Sequence, residues 1–124
     1  MDFDDKVPIY YQIKNHLYHQ IVTGTLVPGA KLPSVRQLAV DVTANVNTVQ
    51  RALSEMTDEK MIIPQRGKGN FVTDDVLSIK KLKDKLINEQ LSLSYQELHD
   101  LNLTDDQILD EFEKYIKNRS EIHE

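Results

Sequence analysis

Apolar side chains recur every four residues at Ile9, Ile13, Leu17 and Ile21, with Tyr10, Tyr18 and Val22 beside them. That spacing places them on one face of a helix. Pro8 suits the first turn, where no N–H is needed, so a helix is predicted over 8–22, stopping at Gly24. Leu26-Val27-Pro28-Gly29-Ala30 reads as a turn, Pro presetting one φ and Gly tolerating the next. A second, short apolar face follows at Val35, Leu38, Ala39 and Val42, opened by Ser34 as N-cap. Gln37, three residues on, completes the pattern of a capping box. Thr43-Ala44-Asn45-Val46 breaks the periodicity. A third helix is predicted over 47–59, burying Val49, Leu53 and Met56, with Ala52 a close-contact position. Asn47, Gln50, Arg51 and Ser54 face away from that stripe. Residues 61–65 read as a strand, Arg66-Gly67-Lys68-Gly69-Asn70 as a hairpin turn, and Phe71-Val72-Thr73 as the return strand.

Beyond residue 75 the pattern changes. Val76, Ile79, Leu82, Leu86 and Ile87 keep helical spacing, interleaved with Lys80, Lys81, Lys83 and Lys85. Capping boxes at Ser94-Tyr95-Gln96-Glu97 and Thr104-Asp105-Asp106-Gln107 predict two further helix starts. The last helix carries Ile108, Leu109, Phe112, Tyr115 and Ile116. The expected fold is mainly α: a winged helix-turn-helix of three helices plus a two-stranded β wing, followed by a small helical tail. Its domain spans 7–75, with the helix-turn-helix near 35–54 and the wing near 61–73; the tail is 76–124. About 50 residues bury little apolar surface alone. The tail stripes, Val76, Ile79, Leu82, Leu86, Ile108, Leu109, Phe112, Tyr115 and Ile116, are therefore expected to pair two copies.

Charge sharpens this division. Residues 1–73 hold eight Lys/Arg against seven Asp/Glu, and residues 74–124 hold seven against thirteen. The balances of +1 and −6 make the net charge of −5. Asp2, Asp4 and Asp5 sit in the amino-terminal tail, so the folded part of the first half is more basic than +1. The acidic second half is unsuited to a phosphate backbone, and such asymmetry marks two functional units. There are no cysteines, hence no disulfide and no thiolate metal site. No apolar run approaches a membrane span, and the acidic start lacks the blocks of a signal peptide. A cytoplasmic protein is expected.

Two short helices with a tight turn and a polar outer face on the second are the components of a helix-turn-helix. The second helix can enter the DNA major groove, where each base pair presents a distinct donor and acceptor pattern. Arg51 has the chemistry to bond guanine, Asn47 and Gln50 to bond adenine, and Thr48 to hold phosphate or meet a thymine methyl. Arg36 on the preceding helix can reach backbone or base. Arg66 and Lys68 flank Gly67 at a thin basic tip suited to the minor groove or its phosphates.

The runs Leu32-Pro33-Ser34-Val35-Arg36-Gln37-Leu38-Ala39, Asn45-Val46-Asn47-Thr48-Val49-Gln50-Arg51-Ala52-Leu53 and Arg66-Gly67-Lys68-Gly69-Asn70-Phe71-Val72 resemble the GntR family of bacterial regulators. So do the opening Pro8-Ile9-Tyr10-Tyr11-Gln12-Ile13 and the Gly24…Pro28-Gly29 connection. The resemblance implies a winged-helix fold and binding to palindromic operators on double-stranded DNA as a homodimer. It places Arg36, Asn47, Thr48, Gln50 and Gly67 at the family's DNA-contact positions. Ser34, Arg51, Arg66 and Lys68 complete the candidate DNA-binding set. Val46 stands where many relatives carry Pro. The short tail is similar to that of the YtrA subgroup, in which it chiefly dimerises. The function so implied is transcriptional regulation, as a repressor blocking polymerase at a promoter. The competing reading is a winged helix that docks protein instead of DNA. A small-molecule effector acting on the tail is left open and unidentified.

Other chemistry-bearing residues have plainer readings. His16 and His19 have the i, i+3 spacing of some metal pairs, but no carboxylate on that helix completes a set. His99-Asp100 and His123 are no better placed. Neither a metal nor another cofactor is expected. No nucleophile motif accompanies the Ser, Thr, His and Asp residues, so no enzyme is expected. Tyr10, Tyr11 and Tyr18 are expected to pack in the core or between domains.

Overall fold

A computed structural model describes residues 1–122; His123, considered above as a ligand, lies outside them. The order is α1 (Ile9–Val22), α2 (Val35–Val42), α3 (Val46–Asp58), β1 (Ile62–Gln65), β2 (Gly69–Val72), α4 (Val76–His99) and α5 (Asp105–Ile122). The chain divides into two compact units, Met1–Lys83 and Asp84–Glu124.

In the first unit, α1 and α2 both pack on α3. Ile13, Leu17 and Ile21 from α1, Leu38, Ala39 and Val42 from α2, and Val49, Ala52, Leu53 and Met56 from α3 are all buried. These are the positions the four-residue spacing selects, except Ile9, which is exposed at the start of α1. Tyr18 is buried and Tyr10 half-buried, but Tyr11 is exposed with the Lys14 ammonium 5.4 Å from its ring centre. Its expected packing role therefore belongs to its neighbours.

The strands pair antiparallel, Ile62 opposite Val72 and Gln65 opposite Gly69. The α1–α2 connection lies along the other edge of β2. Val72 N–H donates to Ala30 O at 2.8 Å, Leu32 N–H to Asn70 O at 2.8 Å, and Lys31 forms an isolated bridge with Phe71. The preceding turn is the expected one: Ala30 N–H donates to Val27 O at 3.0 Å and Gly29 has φ 78°. Positive φ at the residue after Pro28 is what a type II turn demands of glycine.

In the second unit, Tyr95 Oη donates to Asp105 Oδ1 at 2.9 Å and stacks on His99, joining α4 to α5 across the short connection. Thr104 closes a full capping box: its Oγ1 accepts from Gln107 N–H at 3.2 Å, and its N–H donates to Gln107 Oε1 at 2.8 Å. The companion box at Ser94 does not start a helix, because α4 runs unbroken from Val76 to His99. No Gly or Pro interrupts residues 76–99. Extending an existing helix costs less than nucleating a new one, so a capping residue without a breaker is simply absorbed. The sequence also left the start of α4 unmarked. Asp75 supplies it, accepting from Leu77 and Ser78 N–H and from Ser78 Oγ. These bonds to Ser78 hold its carboxyl below the usual aspartate range.

Candidate nucleic-acid interface

The turn between α2 and α3 is built by local backbone chemistry. Thr43 ends α2 with φ 56°, a left-handed conformation rare for a β-branched residue. The chain then reverses, and Asn45 caps α3 by accepting from Asn47 N–H at 2.7 Å. The helix thus begins at Val46, one residue before the sequence suggests. Val46 occupies the first helical position, where proline would fit, and the Asn45 cap starts the helix without it. At α2 only half of the expected capping box forms. Ser34 Oγ accepts from Gln37 N–H at 3.1 Å, but Gln37 Nε2 turns to Asp41 Oδ1 at 2.7 Å.

Asn47, Gln50 and Arg51 are exposed on α3 and Thr48 is half-buried. Gln50 Nε2 lies 3.5 Å from Ser54 Oγ, a long contact that leaves the amide available. Arg36 is exposed on α2 and lines a shallow depression with Val40, Thr43, Asn45 and Val46, so it stands beside the start of α3. Ser34 is exposed with its hydroxyl engaged as the cap. Arg66, Gly67 and Lys68 are exposed at the hairpin tip, closed by Lys68 N–H donating to Gln65 O at 2.9 Å. Gly67 takes φ 75°, which the tip requires.

One residue and one contact escaped the sequence reading. Lys31 runs along the wing: a Cβ on Gly69 would sit 3.1 Å from Lys31 Cε. It adds an exposed cation to the wing from the α1–α2 connection, and its place between a Pro-Gly turn and a buried Leu32 was the only signal. Tyr10 lies under Arg51, whose guanidinium carbon is 3.8 Å from the ring centre. Both belong to helices whose faces were legible, but the pairing across 41 residues was not.

The α1–α3 seam carries an ionic group as well. Lys14 is buried, and its ammonium reaches Glu55 Oε1 at 3.0 Å and Glu59 Oε2 at 3.4 Å. Tyr18 Oη donates to Glu59 Oε1. Burial depresses the Lys14 pKa, but the bond to Glu55 and the field of both carboxylates outweigh it and raise the pKa overall. Burial, then the Glu59 carboxylate, pushes the Tyr18 phenol far above its ordinary value.

The tail residues expected to pair copies divide into three groups. Leu82 and Ile108 are already buried in the single chain, and Ile79 and Leu86 are half-buried. Val76, Leu109, Phe112, Tyr115 and Ile116 are exposed. Among the described residues, no helix is long and apolar enough to cross a membrane.

Residues 9–72 match the family of bacterial regulatory proteins described as gntR. The HTH-type transcriptional regulator YhcF of Bacillus subtilis is 37% identical over 87% of this chain and 89% of its own length. The HTH-type transcriptional repressor YtrA of the same organism is 37% identical over 73% of this chain and 71% of its own. A solved GntR family transcriptional regulator from Listeria monocytogenes superposes with a TM-score of 0.85 at 35% identity, covering 90% of this chain and 98% of that one.

Proposed function

The chain belongs to the gntR family of bacterial regulatory proteins and is a DNA-binding transcriptional regulator; we propose that it acts in the cytoplasm as a homodimeric repressor on a palindromic operator. The observation that carries this reading is the outer face of α3. Asn47 and Gln50 present exposed side-chain amides there, at the exit of a tight turn and beside Arg36, the Gln50 amide making only a long contact to Ser54. On this reading Asn47 and Gln50 read bases in the major groove, Thr48 holds phosphate or meets a thymine methyl, Arg36 reads a base or fixes register, and Arg51 lies on the flank. Ser34 shapes the entry to α2, while Arg66, Gly67 and Lys68 at the wing tip follow the phosphates. Repression is supported by the name of the B. subtilis relative, and pairing through the tail by the apolar side chains that α5 leaves in solvent.

Selection of duplexes from a random library by the purified protein tests it. The expected product is an inverted repeat with half-sites about one helical turn apart. No enriched sequence, or a lone half-site, overturns it. On the selected duplex, Arg36→Ala should shrink the preference over random DNA, a bidentate base contact being worth roughly 1–3 kcal/mol of discrimination. Lys68→Ala should instead weaken both duplexes alike.

A further inference from the structure

Three side chains of α1 meet Arg51 and Glu55 of α3, and Glu59 that caps its end, in matched steps of four. Tyr10 lies against Arg51, Lys14 against Glu55 and Glu59, and Tyr18 against Glu59. The apolar seam of Ile13, Leu17, Val49, Leu53 and Met56 is buried. The two lower rungs satisfy each other with opposite charge or a hydroxyl. The first does not: Arg51 is cationic, Tyr10 is neutral, and among the described residues no carboxylate pairs with Arg51. Glu55, four residues along α3, is the natural ion partner for Arg51, but Lys14 holds its carboxylate at 3.0 Å. The guanidinium is therefore steered away from its own helix and held by its face, with its N–H edges free.

From this geometry we propose that Tyr10 is a positioning residue for DNA binding, which holds Arg51 ready to grip a phosphate at the wall of the groove. The proposal rests on the reading of α3 as the groove-entering helix. Side chains turn by about 100° per residue along a helix. Asn47 and Ser54 therefore share a direction, Gln50 falls about 60° to one side, and Arg51 falls about 40° to the other, toward α1. A helix roughly 10–12 Å across nearly fills a major groove about 12 Å wide. The residues at its centre then face base edges, and a long side chain on its flank meets the phosphates. Arg51, tethered to Tyr10 on that flank, belongs to the second class. A stacked guanidinium loses little further freedom when its planar N–H edge takes a phosphate.

The experiment uses the full chain, a duplex selected from a random library by that chain, and a scrambled duplex of the same composition. Affinities are measured over a salt series for Tyr10→Leu, Tyr10→Phe, Arg51→Ala and the Tyr10→Leu/Arg51→Ala pair, with thermal melting as the control for folding. A cation–π contact at an exposed site corresponds to about a two- to fivefold effect per half-site. Tyr10→Leu should weaken both duplexes by that factor, Tyr10→Phe should restore binding, and Tyr10→Leu should add nothing once Arg51 is gone. Arg51→Ala should lower the magnitude of the salt slope by about one per half-site. If Tyr10→Leu melts below the assay temperature, Arg51→Lys replaces it: the charge stays, the planar stack is lost, and both duplexes should again weaken. Wild-type affinity in Tyr10→Leu or Arg51→Lys overturns the proposal. So does a Tyr10→Leu penalty that persists unchanged without Arg51, or a loss confined to the selected duplex, which would make Arg51 a base reader. A wild-type chain that enriches no duplex fails at an earlier step, against the DNA-binding reading itself.

Discussion

In the unit Met1–Lys83, the large apolar residues of the three-helix stripes close on one another, and Val49, Ala52 and Met56 have no exposed surface. In the unit Asp84–Glu124, Ile108 is buried, while Leu109 is 68% exposed and Ile116 61%. Both units have helical apolar periodicity, so periodicity alone does not distinguish them. The first has three helices and a ribbon to close a core around α3. The second has the end of one helix and one more, which cannot surround an apolar stripe. Its uncovered face is rich in the side chains that stabilise an assembly, whereas the uncovered face of α3 is amide and guanidinium, which suits a polar ligand such as a duplex.

The largest test of this contrast is to charge the uncovered face of α5. Leu109→Asp/Ile116→Asp should convert a dimer to a monomer in sedimentation and leave the helical content of the chain unchanged. Losing the linked second half-site should then lower affinity for a palindrome by about 10²–10⁴-fold. A variant that still sediments as a dimer would move the interface elsewhere. Next in size is the core of the first unit. Leu53→Ala removes a fully buried side chain from α3 and should cost about 2–5 kcal/mol in denaturant unfolding. The α5 variant should leave the intrinsic unfolding of this unit unaltered.

The ionic seam gives a smaller effect with a defined direction. Lys14 and Tyr18 both have raised pKa values in the folded unit, so the folded state holds their protons more tightly. The stabilisation is complete below their unfolded values, and is lost as pH rises above about 10. Denaturant titrations from pH 8 upward should show stability falling there, with a shallower fall in Tyr18→Phe. The smallest test compares the two N-caps. Ser34→Ala and Thr104→Ala each remove a capping hydroxyl, worth about 1 kcal/mol. The first loss should appear in global unfolding of the first unit. The second should appear as faster amide exchange confined to the start of α5.

The sequence by itself determined the order of elements from α1 to the wing, the buried stripes of α1 to α3, the Val27–Ala30 turn and the Thr104 cap. Each is set by short-range rules: a four-residue period, a capping hydroxyl, or a glycine at positive φ. It also placed the candidate DNA-binding residues other than the half-buried Thr48 on the surface, because a polar residue opposite an apolar stripe has nowhere else to go. Only the tertiary structure decided whether Ser94 begins a helix, since a capping signal competes with continuation of the helix already under way. Only it brought Lys31 to the wing and Tyr10 beneath Arg51. Those contacts join positions far apart in the chain, and their geometry follows from how α1 and the α1–α2 connection pack, which no local pattern encodes. Gln37 is a local case: its amide donates to Asp41, one turn along α2, rather than folding back to the start of the helix.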